Sequence, residues 1–185
     1  MSHIVGGTGI AFALRGEQLK SENVKNVVDA CTWFYRVYPK NPKVRVRSFS
    51  SVIAFRIAIL FKMHFHTSLH PTTLGTYIYK GSKPGYVAVV TNRGKEYWST
   101  TLFHELIHDQ QRALLGWRPY GKLNRTTRYL SNPLEITAER VALELGHLYA
   151  SGFPPVYMDP CPSSKRLRFA NRLGQEAPDF EFTSG

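Results

Sequence analysis

The sequence predicts an α+β fold, and three observations carry that reading. One segment near the N-terminus repeats its apolar residues at helical spacing. A run of short segments follows, several with period two, separated by Gly- and Pro-containing turns. Two long segments of helical character close the order.

The first helix is expected from about Glu17 to Tyr38, where Val24, Val27, Val28, Cys31, Phe34 and Tyr35 recur at helical spacing. Pro39 and Pro42 end it. Lys43 to Phe49, KVRVRSF, alternates and predicts a strand. In Ser51 to His66 the odd positions Ile53, Phe55, Ile57, Ile59, Phe61, Met63 and Phe65 are apolar, while the even ones include Arg56, Lys62, His64 and His66. Period two predicts mostly strand there. Thr76–Lys80 and Tyr86–Thr91 are further strands, joined by a turn over Gly81–Gly85. The sheet is expected to be small and mainly antiparallel. A helix from Lys95 to Leu115 ends at Gly116, and another runs from Pro133 to about Ser151. Asn132 is the expected N-cap of the latter, Pro133 suits its first position, and Glu135 has the spacing of a capping box. A short helix is expected at Ser164–Leu173. Residues 1–160 are expected to form one domain, with 161–185 a basic and then acidic extension.

Composition bounds the function classes. The chain has 185 residues, 43% hydrophobic and 20% charged, a globular rather than disordered balance. Its 24 Lys+Arg against 13 Asp+Glu give a net charge of +11. That points to an acidic partner or nucleic acid, or to solubility alone, because the charge is spread along the chain. Cys31 and Cys161 have no metal or redox spacing and are expected to be reduced thiols. The opening MSHIVGGTGIAFALRGEQ carries no basic leader, so no signal peptide is expected. The apolar stretch from Val52 to Phe61 contains Arg56 and is too short to span a bilayer. The expected location is the cytoplasm.

The chemistry concentrates in TTLFHELIHDQQ, Thr100 to Gln111. His104 and His108 are four apart and project from one helix face. Neutral imidazoles suit zinc, which in a catalytic site takes three protein ligands and a water. Glu105 lies beside them, placed to act as general base toward a water whose pKa the metal lowers to about 7. Asp109 and Gln110 are polar where zinc-protease helices usually continue with apolar residues, which predicts a helix more exposed after His108 than in those proteins. The candidates for a third ligand lie on the last helix: Glu135, Glu139 and His147. His64, His66 and His70 in HFHTSLH form a second cluster, read as rim histidines or a second metal site.

HELIH followed by NPLEITAERVA resembles the gluzincins, HExxH zinc metallopeptidases in which a downstream helix supplies a glutamate ligand. It also resembles small single-domain families with HExxHxxQ and a later NPxExxA. The metzincin pattern is excluded, since Gln111 and Leu114 stand where it needs Gly and His. The gluzincin resemblance implies a zincin-like fold, a zinc site of His104, His108 and Glu135, and Glu139 as a carboxylate orienting a ligand imidazole. Glu139 is the alternative ligand, because its Glu-Arg-Val-Ala context resembles the glutamate signature of related families. His147 would give a SprT-like ligand set.

The expected function is therefore a zinc-dependent peptidase, a hydrolase of protein or peptide substrates. Substrate would add to the strand Tyr86–Thr91. Arg128, Tyr129, His147, Tyr149 and Tyr157 are candidates for stabilising the oxyanion. The alternatives are a non-catalytic zincin-fold binding protein of a nucleoprotein or viral assembly, or a DNA-associated protease.

Overall fold

A computed structural model describes residues 21–38, 44–62, 74–79, 83, 85–126 and 131–163. In chain order the elements are α1 (Ser21–Phe34), β1 (Arg45–Phe49), α2 (Val52–Lys62), β2 (Gly75–Ile78), β3 (Tyr86–Val90), α3 (Lys95–Leu115), α4 (Trp117–Thr126) and α5 (Pro133–Ala150). The fold class is α+β, as the sequence predicts. The HFHTSLH histidines His64, His66 and His70, the candidates Arg128 and Tyr129, and the expected helix Ser164–Leu173 lie outside the described residues.

Two expectations are corrected. The segment after β1 is the helix α2, not a strand. Among its described odd positions Phe55 and Ile59, four apart, are buried, while Ile53 and Ile57 are exposed at 72% and 51%. The alternation was a by-product of a nearly unbroken apolar run. Ser51 starts the helix, its Oγ accepting from the Ala54 N–H at 3.4 Å. With a helix there, the sheet is mixed rather than mainly antiparallel. Its order is β1-β3-β2, with β1 parallel to β3 and β2 antiparallel to it.

The sheet is buried on both faces. Val46, Val87 and Val89 face a core shared with α1, α3 and α5, while Phe49, Ala88 and Val90 face Phe55 and Ile59 of α2. This is why YVAVV reads as a continuous apolar run. In the larger core Phe34 stacks on Phe103, with centroids 5.7 Å apart, and on Tyr38 at 4.4 Å. Before Pro39 the chain leaves α1 through turns, Arg36 N–H bonding Trp33 O and Val37 N–H bonding Phe34 O.

α3 and α5 pack closely because Gly146 lets Thr100 approach; a Cβ there would overlap the threonine side chain. Gly116, at φ 82°, ends α3. α4, which the sequence reading passed over as a connection, then lays Tyr120 and Leu123 against Leu134. After α5 an extended strap, residues 153–160, runs back along α1. Trp33 Nε1 donates to Phe153 O at 3.0 Å, and Tyr38 Oη donates to Met158 O at 2.8 Å. Both cysteines are free thiols, Cys31 buried and Cys161 partly so. Among the described residues no helix is long and apolar enough to cross a membrane.

Candidate metal centre

α3 presents His104 and His108 one turn apart, and α5 brings Glu135 to them in its own first turn. The α5 entry is fixed as the sequence predicts: Asn132 Oδ1 accepts from the Leu134 N–H at 3.0 Å, and Pro133 follows the cap. Glu135 Oε2 then lies 3.2 Å from His104 Nε2 and 3.1 Å from His108 Nε2, and the two imidazole nitrogens are 3.0 Å apart.

The other ring nitrogens decide what these three atoms are. His104 Nδ1 faces the Glu139 carboxylate at 3.2 Å. His108 Nδ1 faces Gln111 Oε1 at 2.9 Å. Both neighbours only accept, so in the neutral rings both Nδ1 atoms carry the proton and both Nε2 atoms are lone pairs. Two lone pairs and a carboxylate oxygen thus converge with no proton of their own to share. A cation relieves that arrangement. Metal–ligand bonds of about 2.0–2.2 Å in a tetrahedral set separate donors by about 3.3–3.6 Å, a few tenths of an ångström wider than the 3.0–3.2 Å found. The His-His-Glu group could hold a metal ion.

Without an ion, charge separates across the same atoms. Burial alone would lower the His104 pKa, but hydrogen bonds to Glu135 and Glu139 outweigh it and raise it to about 10. Burial would raise the Glu135 pKa, yet hydrogen bonds to both imidazoles bring it to about 2. A proton thus occupies the position a cation would otherwise take.

His108 is the buried member, and its ring forms a triangle with those of Tyr77 and Tyr120, at 6.5 and 6.3 Å, which themselves lie 6.3 Å apart. The side chains of His104 and Glu135 retain 13% and 17% exposure, which opens the cluster to solvent on one side. Glu105 is buried against β2, where Gly75 comes close to its carboxylate and the Tyr77 backbone N–H donates to it. Burial pushes its pKa up, while the neighbouring His104 and His108 pull it down; the net direction is up.

Several sequence expectations change. The helix after His108 is more buried, not more exposed: Asp109, Gln110 and Gln111 have 0–1% exposure. Their polarity is satisfied internally. Tyr77 Oη donates to Asp109 Oδ1 at 2.9 Å and accepts from Arg112 Nη1 at 3.0 Å. β3 cannot receive a substrate strand, since β1 and β2 occupy both its edges. His147 pairs with Glu96 at 3.5 Å, toward the far end of α5 from Glu135, and Tyr149 reaches toward Asn26 O. Tyr157 is exposed and lies against Tyr38. The structure therefore joins His104, His108 and Glu135, with Glu139 and Gln111 behind the imidazoles. Tyr77 and Tyr120 were missed, since nothing in the sequence brings β2 and α4 to His108.

No family model, curated protein or solved structure matches the chain.

Proposed function

We propose that the protein is a zinc-dependent peptidase, with His104, His108 and Glu135 as the metal ligands and Glu105 as the general base. The observation that carries this is the convergence of two imidazole nitrogens and one carboxylate oxygen beside the buried carboxylate of Glu105. Two imidazoles and a carboxylate with room for water suit catalytic zinc, and the gluzincin resemblance of HELIH and NPLEITAERVA points the same way. Zinc at such a site supplies Lewis acidity toward a water and a scissile carbonyl. Glu105 would take the proton of the attacking water and return it to the leaving amine. Glu139 and Gln111 hold the imidazole protons at Nδ1.

The test is metal analysis of the purified protein beside a Glu105→Gln variant on a broad peptide library. The expected result is near-stoichiometric zinc in both, with cleavage by the wild type alone. Absence of bound zinc in the wild type, or equal cleavage by both, refutes the reading.

A second reading is favoured by the net charge of +11 and by Arg118, Lys122 and Arg125, exposed at helical spacing along α4. Here the metal site serves a protein that binds nucleic acid or another acidic partner. A salt-dependent shift of generic DNA supports it, and no binding at low salt refutes it.

A further inference from the structure

We infer that Gln111 is the positioning residue of the metal centre. It sets which nitrogen of His108 is free to bind and ties that imidazole to the backbone that carries Glu135. This deepens the metal-site reading and rests on it for its functional meaning.

The Gln111 side chain is completely buried on α3. Its Nε2 donates to Leu134 O at 2.9 Å and to Pro160 O at 2.8 Å. Both partners are backbone carbonyls, which accept only, so the amide nitrogen must face them. That fixes the amide orientation by hydrogen bonding alone. The amide oxygen is left with one task, to accept from His108 Nδ1 at 2.9 Å. The proton of the neutral ring is thereby held on Nδ1, and Nε2 is presented to Glu135 Oε2 at 3.1 Å. The second attachment matters equally. Leu134 immediately precedes Glu135, so one carboxamide holds a ligand on α3 and the residue beside a ligand on α5. Its third contact, Pro160, anchors the strap over the same point. His104 is held differently, by Glu139, which is 62% exposed. The buried imidazole has the buried, neutral, three-way partner.

Two substitutions separate positioning from packing. Gln111→Glu keeps an oxygen that accepts from Nδ1–H. Gln111→Met keeps volume and removes both the acceptor and the donors. Zinc affinity is measured by competition with a chelator, thermal stability by calorimetry, and the His108 tautomer by long-range proton–nitrogen correlation spectra of the imidazoles. The expected result is Nδ1–H on His108 in the wild type. Gln111→Met should bind zinc about 10–100-fold more weakly, and Gln111→Glu should recover most of that loss despite lower stability. Folded Gln111→Met with wild-type zinc affinity overturns the inference, since a packing role would lower stability alone. Should Gln111→Met fail to fold, the wild-type tautomer decides: Nδ1–H supports and Nε2–H overturns. Should the wild type bind no zinc, the metal reading falls, while the tautomers of wild-type and Gln111→Met protein still decide the role of Gln111.

Discussion

Gly75 is the point at which β2 passes closest to the proposed base, and replacing it with alanine tests how tightly that contact is built. A Cβ at this position would lie 2.5 Å from Thr101 Cγ2, 3.0 Å from Glu105 Oε1 and 3.2 Å from Glu105 Cγ. Carbon pairs prefer about 3.5–4.0 Å, so something must move. The Thr101 methyl cannot rotate away freely, because its Oγ1 is held by Tyr97 O at 3.0 Å. Overpacking of this kind costs about 1–3 kcal/mol. Gly75 is not among the positive-φ glycines, so alanine recovers about 0.5–1 kcal/mol of backbone entropy. The net loss is up to about 2.5 kcal/mol, or up to about 10 °C in Tm for a chain of this size. A shift of about 1 Å in the Glu105 carboxylate would lower kcat on the order of 100-fold. Calorimetry and peptide cleavage measure the two effects separately. Adding Thr101→Ser removes the methyl, keeps the hydroxyl bond and should restore most of the Tm, but not the activity, because Glu105 is still pushed. Gly75→Ala with unchanged Tm and unchanged cleavage would refute the close approach of β2 to α3.

Further outcomes follow from the same coordinates. Glu139→Gln, at the solvent side of His104, should weaken zinc binding by up to about 10-fold without preventing folding; an unchanged affinity in the chelator assay would remove Glu139 from the site. Asn132→Ala loses the α5 cap and the Nδ2 bond to Asn124 Oδ1 at 2.8 Å, and should cost about 1–2 kcal/mol in urea unfolding. Burial raises the Cys31 thiol from 9.0 to about 12. The folded chain therefore keeps a proton that the unfolded chain loses. That stabilisation is complete below pH 9 and is lost as the pH rises toward 12, in all about 4 kcal/mol. In Cys31→Ala the alkaline decline in the urea midpoint should be shallower than in wild type, and parallel curves would contradict the assignment.

The sequence exposed those parts of the molecule whose signals are local. Asn132-Pro133 announces a helix start, Gly116 a helix end, and His104 with His108 a shared helix face. Glu135 came from the gluzincin resemblance of NPLEITAERVA, with Glu139 as the alternative, and the Asn132 cap fixes its place on α5. Other features depend on partners remote in sequence. α2 was misread because its apolar residues are nearly continuous, so only burial shows that Phe55 and Ile59 face the sheet while Ile53 and Ile57 do not. Asp109 and Gln110 predict exposure because polarity does so unless every hydrogen bond is met inside. Here Tyr77, 32 residues away, meets Asp109, and Leu134 and Pro160, 23 and 49 residues away, meet the neighbouring Gln111. Strand order was equally hidden, since a continuous apolar run at Tyr86–Val90 does not say that both its edges are taken.

The reach of Gln111 to Pro160 also orders events in time. As the chain is synthesised, His104 and His108 emerge together, Glu135 follows 27 residues after His108, and the Pro160 carbonyl comes 49 residues after Gln111. The imidazole pair exists well before the groups that orient it. Until Pro160 is in place, Gln111 lacks one of the two carbonyls that fix its amide against His108. Closure of that contact completes the bonding of Gln111, so on the proposed reading the metal site is finished from outside its own two helices.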